Sequence, residues 1–120
     1  MGPAPELPDS IAVGLYTFRV IRPVVILGDD GKPEPTWGET SLDELTISVR
    51  RDLSGDAEAE TALHELLHAI GHQSGCLPND DDEEERIVKG MSAQLYLALK
   101  QNPAMLEYLY AAINRRSQTP

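Results

Sequence analysis

The chain carries a single cysteine, Cys76, so no disulfide can form within it. No basic segment followed by an apolar run of signal-peptide kind opens it either, and the expectation is a soluble, cytoplasmic protein. Basic residues are scarce: 10 Lys plus Arg stand against 20 Asp plus Glu, for a formal charge of −10. Binding to phosphate backbones needs a basic stripe, which excludes nucleic acid as the expected partner. No apolar run approaches the ~20 residues that span a bilayer, so no membrane role is expected.

What is present is ordinary globular material. Hydrophobic residues make up 41% and charged residues 25% of 120 positions, enough to fold as one domain with one core. The acidic excess is not spread evenly: six acids form the unbroken run Asp80-Asp81-Asp82-Glu83-Glu84-Glu85. A run of that kind is ordinarily a solvated helix cap, so any further role must come from its position.

Three prolines in the first eight residues mark a flexible lead-in over 1–10, ahead of a single domain over 11–115 and a short tail over 116–120. Residues rich in Val, Ile, Tyr, Phe and Thr predict strands near Tyr16 to Ile21 and Val24 to Leu27, broken at Pro23. Turn formers fill Gly28 to Pro35, and Leu45 to Arg50 alternates with period two as a half-buried strand. From Asp56 the period becomes helical, with Asp56 as N-cap, Leu63, Leu66, Leu67 and Ile70 as the apolar face, and Gly71 and Gly75 as terminators. A second helix starts near Asn79 or Asp80 and presents Ile87, Val88, Met91, Leu95, Ala98 and Leu99 on one face. Asn102-Pro103 ends it and starts a third, whose inward face is Leu106, Leu109, Tyr110 and Ile113. Strands followed by three helices predict an α+β fold, with a sheet of about three strands, antiparallel or mixed.

The first helix carries His64-Glu65-Leu66-Leu67-His68, an H-E-x-x-H sequence, and all three histidines of the chain fall within nine residues. Two histidines one helical turn apart can direct a ring nitrogen each at one ion. Glu65 lies beside them, where a carboxylate can take a proton from water instead of binding the metal. On a helical wheel His64, Glu65 and His68 turn away from the leucines, toward a cleft. A third ligand is required. The metzincin spacing puts Ser74 where a histidine would stand, which eliminates that class. His72 lies about 6 Å beyond His68 along a continuous helix and reaches the ion only if Gly71 breaks that helix. Glu84 precedes Ile87, Val88 and Met91 by three, four and seven residues, at the centre of an apolar face, where a carboxylate must be paired or metal-bound. Zinc is the ion that H-E-x-x-H implies, although two histidines and a carboxylate also accept iron, manganese or nickel.

Over residues 42–110, "TALHELLHAIGH" followed by "EEERIVKGMSAQLYLALKQNP" resembles the small gluzincin-type zincin metallopeptidases, in particular the minimal H-E-x-x-H proteins encoded by phages and, distantly, the ImmA/IrrE proteases. The resemblance implies a zinc-dependent peptidase acting on a peptide or protein, with a Glu on the following helix completing the site. That role falls on Glu84, with Glu83 or Glu85 as alternatives. It also implies substrate laid against the strand before the motif helix, here Ile47, Ser48 and Val49. A phage origin would put the protein in the host cytoplasm. The resemblance assigns no oxyanion-stabilising residue; Tyr96, Tyr108 and Tyr110 are available, though at helical spacing each reads first as core. A different class of function stands beside it: a catalytically silent, zinc-stabilised binding module, which needs a fourth side-chain ligand such as His72, Cys76 or an Asp of the acidic run. A decoy acting by acidic charge alone is a third.

Overall fold

The structure, a computed structural model, describes residues 5–115. It is α+β, as expected, with six strands and three helices among the described residues. Strands β1 (Ser10–Val13) and β2 (Tyr16–Ile21) form an antiparallel hairpin. A long excursion follows, containing a two-stranded ribbon of β3 (Ile26–Leu27) and β4 (Pro33–Glu34). Then β5 (Gly38–Ser41) and β6 (Thr46–Val49) return to the main sheet, whose order is β1-β2-β6-β5. β6 lies parallel to β2 and antiparallel to β5. Helices α1 (Gly55–Ser74), α2 (Asp81–Gln101) and α3 (Pro103–Arg115) complete the chain.

Several local expectations shift. The ordered chain enters the fold before residue 11: Ser10 is already in β1, the Asp9 carbonyl accepts from the Val20 amide at 2.8 Å, and Leu7 packs on the core. Residues 1–4 and the expected tail, 116–120, lie outside the described residues. The strand expected from Val24 shrinks to Ile26–Leu27, because Val24 and Val25 face solvent beyond Pro23. The sheet has four strands because Gly38–Ser41, which holds no apolar residue, pairs with β6. β6 is buried at all four positions instead of half-buried, since it is an interior strand.

The core is Val13, Phe18, Ile47, Val49 and Ala69, with Ile11, Leu45, Leu53, Ala62 and Leu66 packed around it. Helix α1 turns Thr61, Glu65 and Ala69 toward the sheet, not the Leu63, Leu67 and Ile70 stripe. Small side chains at Thr61 and Ala69 let the helix sit close on β5 and β6, and this rotation carries Glu65 inward. Its N-cap is Ser54, while Asp56 is bound by the Tyr96 hydroxyl and by Lys100 at 2.7 Å. Gly71 remains inside the helix, with Leu77 packed on it where a Cβ would stand, and Gly75 ends it with φ of 71°. Arg22 holds the approach to α1, donating to the carbonyls of Val49, Arg50 and Leu53 and pairing with Glu58 at 2.9 Å.

Asp80 caps α2, accepting from the Glu83 amide at 3.0 Å, and α3 starts at Pro103, both as expected. The packing of these helices is not. Only Glu84, Val88 and Ser92 of α2 are buried, and Met91 and Leu95 are exposed. No residue of α3 is buried; Tyr110 is 71% and Ile113 67% exposed, so its apolar face does not meet the core. Its main contact is with α2.

Candidate metal centre

Helices α1 and α2 run side by side, and their seam is built from histidines and carboxylates instead of leucines. His64 and His68 stack edge to face, with ring centroids 4.9 Å apart, as the one-turn spacing requires. Nε2 of His64 lies 2.8 Å from one oxygen of Glu85, and Nε2 of His68 lies 3.0 Å from the other. One donor atom from each of these three residues falls within 4.8 Å of the others, a group able to hold a metal ion.

Glu84 lies where its helix face suggested. It is indeed buried, 7% exposed, and it is paired. Its Oε2 lies 2.6 Å from Nδ1 of His68, on the side of the ring away from Glu85, and 3.0 Å from Nε2 of His72. Adjacent residues on a helix diverge by about 100°, so one acid passes behind the ring while the next crosses in front of it. Glu84 is therefore set to orient His68, and Glu85, one of the alternatives, is the acid grouped with His64 and His68. Glu83 is exposed in the first turn, and His72 is held by Glu84.

The donor set fits a cation. His68 lies between two carboxylates, yet a neutral imidazole has one N–H. With Nδ1–H given to Glu84, Nε2 presents a lone pair to Glu85, two acceptors facing each other. Either a second proton on the ring or a positive ion between them removes that repulsion. Donors around a tetrahedral ion with ~2.0–2.1 Å bonds stand about 3.3 Å apart, compatible with the observed spread. Both Nδ1 atoms are already engaged, that of His64 lying 3.2 Å from Ser92 Oγ, as metal-binding histidines ordinarily are. Burial lowers the His64 pKa, and nearby Glu85 opposes it. The metal-binding, neutral form is thereby favoured.

Glu65 is 6% exposed against the underside of β5. The Thr40 hydroxyl donates to its Oε1 at 2.8 Å. Burial pushes the Glu65 carboxyl up from 4.5 to about 7, with the Thr40 hydrogen bond pulling the other way. Gly38 makes the approach possible: a Cβ there would stand 2.9 Å from Glu65 Oε2 and 2.8 Å from Thr61 Cγ2.

These groups line one open cleft of about 1310 Å³, walled by β5 with Trp37 and Leu42 on one side and by α1 and α2 on the other. Asp29, Glu39, Asp43, Glu60 and Asp81 also line it, against Lys89 as the cation of the lining. Ile47, Ser48 and Val49 do not form the expected docking edge. β6 is hydrogen-bonded to β2 on one side and β5 on the other, so its backbone cannot take a further strand. The sheet's edges are β1 and β5, and it is β5 that borders the cleft. Tyr96 is bound to Asp56 at the surface, Tyr108 and Tyr110 are exposed on α3, and none of the three lines the cleft. Cys76 is exposed and accepts from Ser74 Oγ. Thr40 and Ser92 were missed from the sequence; Ser92 had a signal, seven residues beyond Glu85 on one helical stripe, and Thr40 had none.

Compared with protein-family models, curated proteins and solved structures, the chain matches none. Among the described residues, no helix is long and apolar enough to cross a membrane.

Proposed function

We propose that the chain is a minimal zinc-dependent metallopeptidase of the H-E-x-x-H kind, with His64, His68 and Glu85 as ligands and Glu65 as general base. The observation that carries this reading is the convergence of two Nε2 atoms on one carboxylate, beside a buried glutamate, inside an open cleft. When bound, zinc supplies Lewis acidity, polarising a carbonyl and lowering the pKa of water toward ~7. The protein's own contribution is the proton path. Glu65, poised near neutrality by burial, accepts the proton of the attacking water and returns it to the leaving amine. The Thr40 hydroxyl holds that carboxylate in one orientation. Glu84 fixes the ring of His68 from behind.

An extended peptide is the substrate form that suits the cleft, laid along the open edge of β5 by strand addition. The acidic lining favours segments bearing Lys or Arg. Neither nucleic acid nor a membrane is a partner in this reading, and a reducing cytoplasm suits the lone exposed Cys76. A silent module with a closed structural site would need a fourth side-chain donor, but His72 is held by Glu84 and Cys76 by Ser74.

The test is metal content and cleavage of a peptide library by the wild type and Glu65→Gln. One zinc per chain in both proteins, with hydrolysis in the wild type alone, is expected. Equal turnover by the two proteins, or a metal-free wild type after growth in zinc, refutes the assignment.

A further inference from the structure

Helix α3 is 13 residues long, and none of them is buried. A lone helix of that length is marginal in water, because helical stability in proteins comes mostly from packing an apolar face. Such a face is present. Met105, Leu106, Leu109, Tyr110 and Ile113 fall within about 140° of one another around the helix axis and are 37% to 71% exposed. At about 200 Å² per large side chain they leave about 550 Å² of apolar surface open, as much as the largest patch of an ordinary monomer. Glu107 and Arg115 lie off this arc, so the face holds no charged side chain. The residues outside the described ones bring little to cover it, since Met1 is the one large apolar side chain among 1–4 and 116–120.

We propose that this face is covered by helix α3 of a second copy of the chain, in a two-fold symmetric dimer. An uncharged stripe gives nothing to a partner recognised by charge. A bilayer surface favours helices rich in Lys and Arg on the polar side, and α3 has one basic residue, Arg115. A two-fold axis sets one patch against its own copy, so apolar surface meets apolar surface of the same extent. The area agrees: about 550 Å² of side chain, with the small residues and backbone around it, approaches the ~800 Å² that each partner buries in a specific interface. The formal charge of −10 does not oppose the contact. The acidic run stands at the start of α2, whose 21 residues put about 30 Å between it and the start of α3, several times the ~8 Å Debye length of physiological salt. No residue of α3 lines the metal cleft, so the dimer stands or falls apart from the metal reading.

The experiment is sedimentation equilibrium of the full chain over a concentration series, on the wild type and Tyr110→Lys/Ile113→Lys, with intermolecular NOEs in a mixture of labelled and unlabelled wild type. The wild type is expected to reach twice 13.2 kDa, with NOEs joining the methyl groups of Leu106, Leu109 and Ile113 of one copy to α3 of the other. The variant is expected to dissociate, its dimer constant raised about 100-fold or more, although two added lysines weaken the long-range repulsion between copies. A wild type that remains a monomer at about 0.1 mM overturns the proposal. So does a variant that associates as tightly as the wild type, a wild type that grows past the dimer, or a dimer whose NOEs lie outside α3; the last of these reads the interface without any substitution.

Discussion

Replacing Glu65 by glutamine keeps the side chain's shape and its acceptor for the Thr40 hydroxyl while removing the charge. The consequence for stability follows from where the carboxyl sits. It is 6% exposed, and burial raises its pKa from 4.5 to about 7. A raised carboxyl pKa means that the native state binds the proton more tightly than the unfolded chain, so stability falls as pH rises from 4.5 through 7. At about 1.4 kcal/mol per pH unit, the whole displacement is worth about 3 kcal/mol. Below 4.5 the wild type and Glu65→Gln are equivalent in this respect. At pH 5 the wild type has lost about 1 kcal/mol relative to the variant, and at pH 8 about 3 kcal/mol. Urea unfolding of both proteins in chelator at pH 5 and pH 8 measures this directly, because other titrating groups act on both proteins alike. With saturating zinc the gap should narrow, since a nearby divalent charge favours the carboxylate. A difference between the two proteins that is the same at both pH values would refute the buried, neutral-leaning Glu65, as would a variant less stable than the wild type at pH 8.

Exchanging the two adjacent acids separates ligand from orienting residue: Glu85→Ala should abolish stoichiometric zinc, whereas Glu84→Gln should retain it with affinity about 10- to 100-fold lower, measured by chelator competition. The opposite ranking would restore Glu84 as the ligand. Gly38→Ala should destabilise the protein by about 1–3 kcal/mol in urea unfolding and depress cleavage, because the added Cβ would press on Thr61, Glu65 and the Ser48 carbonyl at 2.8–2.9 Å. Peptides carrying Lys or Arg should be cleaved faster than acidic ones of equal length, with an advantage that shrinks between 0.02 and about 0.5 M salt; a salt-independent preference would remove electrostatics as its cause.

Where side-chain chemistry repeats with the period of a secondary structure, the fold was legible. β2 spans Tyr16–Ile21 as the β-branched and aromatic residues indicate, and α2 ends at Asn102-Pro103 because proline cannot continue it. β5 left no trace, since Gly38-Glu39-Thr40-Ser41 has no apolar residue and owes its place to pairing with β6. The rotation of α1 was misread for a related reason. The positions turned to the sheet are Thr61, Glu65 and Ala69, two of them polar, while the leucines lie on the flanks. That error turned Glu65 away from the core and hid the origin of its raised pKa. H-E-x-x-H brought His64, Glu65 and His68 to one cleft, because their convergence depends only on a spacing within one helix. Which acid of α2 joins the two histidines depends on how two helices face each other, and periodicity cannot resolve neighbours 100° apart when that facing is unknown. The apolar stripe of α3 was real, but burial needs a partner surface, and the described fold offers none.

The same geometry explains why α2 lies where it does. Its buried residues are Glu84, Val88 and Ser92, so Val88 is the one fully buried aliphatic side chain of α2. Beside it the seam holds three histidines facing Glu84 and Glu85, and Asp56 of α1 bound by Tyr96 and Lys100 of α2. Without a cation, the buried Glu84 carboxylate relies on the rings of His68 and His72, and Glu85 has no positive charge beside it, since burial disfavours the protonated form of His64. A bound ion would supply that charge between Glu85 and the two Nε2 atoms. By mass action it then stabilises the native state by about 2.7 kcal/mol at a free concentration 100 times its dissociation constant, close to what Glu65 loses by being buried and ionised. The core on the sheet side, Val13, Phe18, Ile47, Val49 and Ala69, does not depend on that ion. Metal removal should therefore loosen α2 and α3 from α1 before the sheet opens, which makes the acidic run at the start of α2 a conditional fastening that holds while the site is loaded.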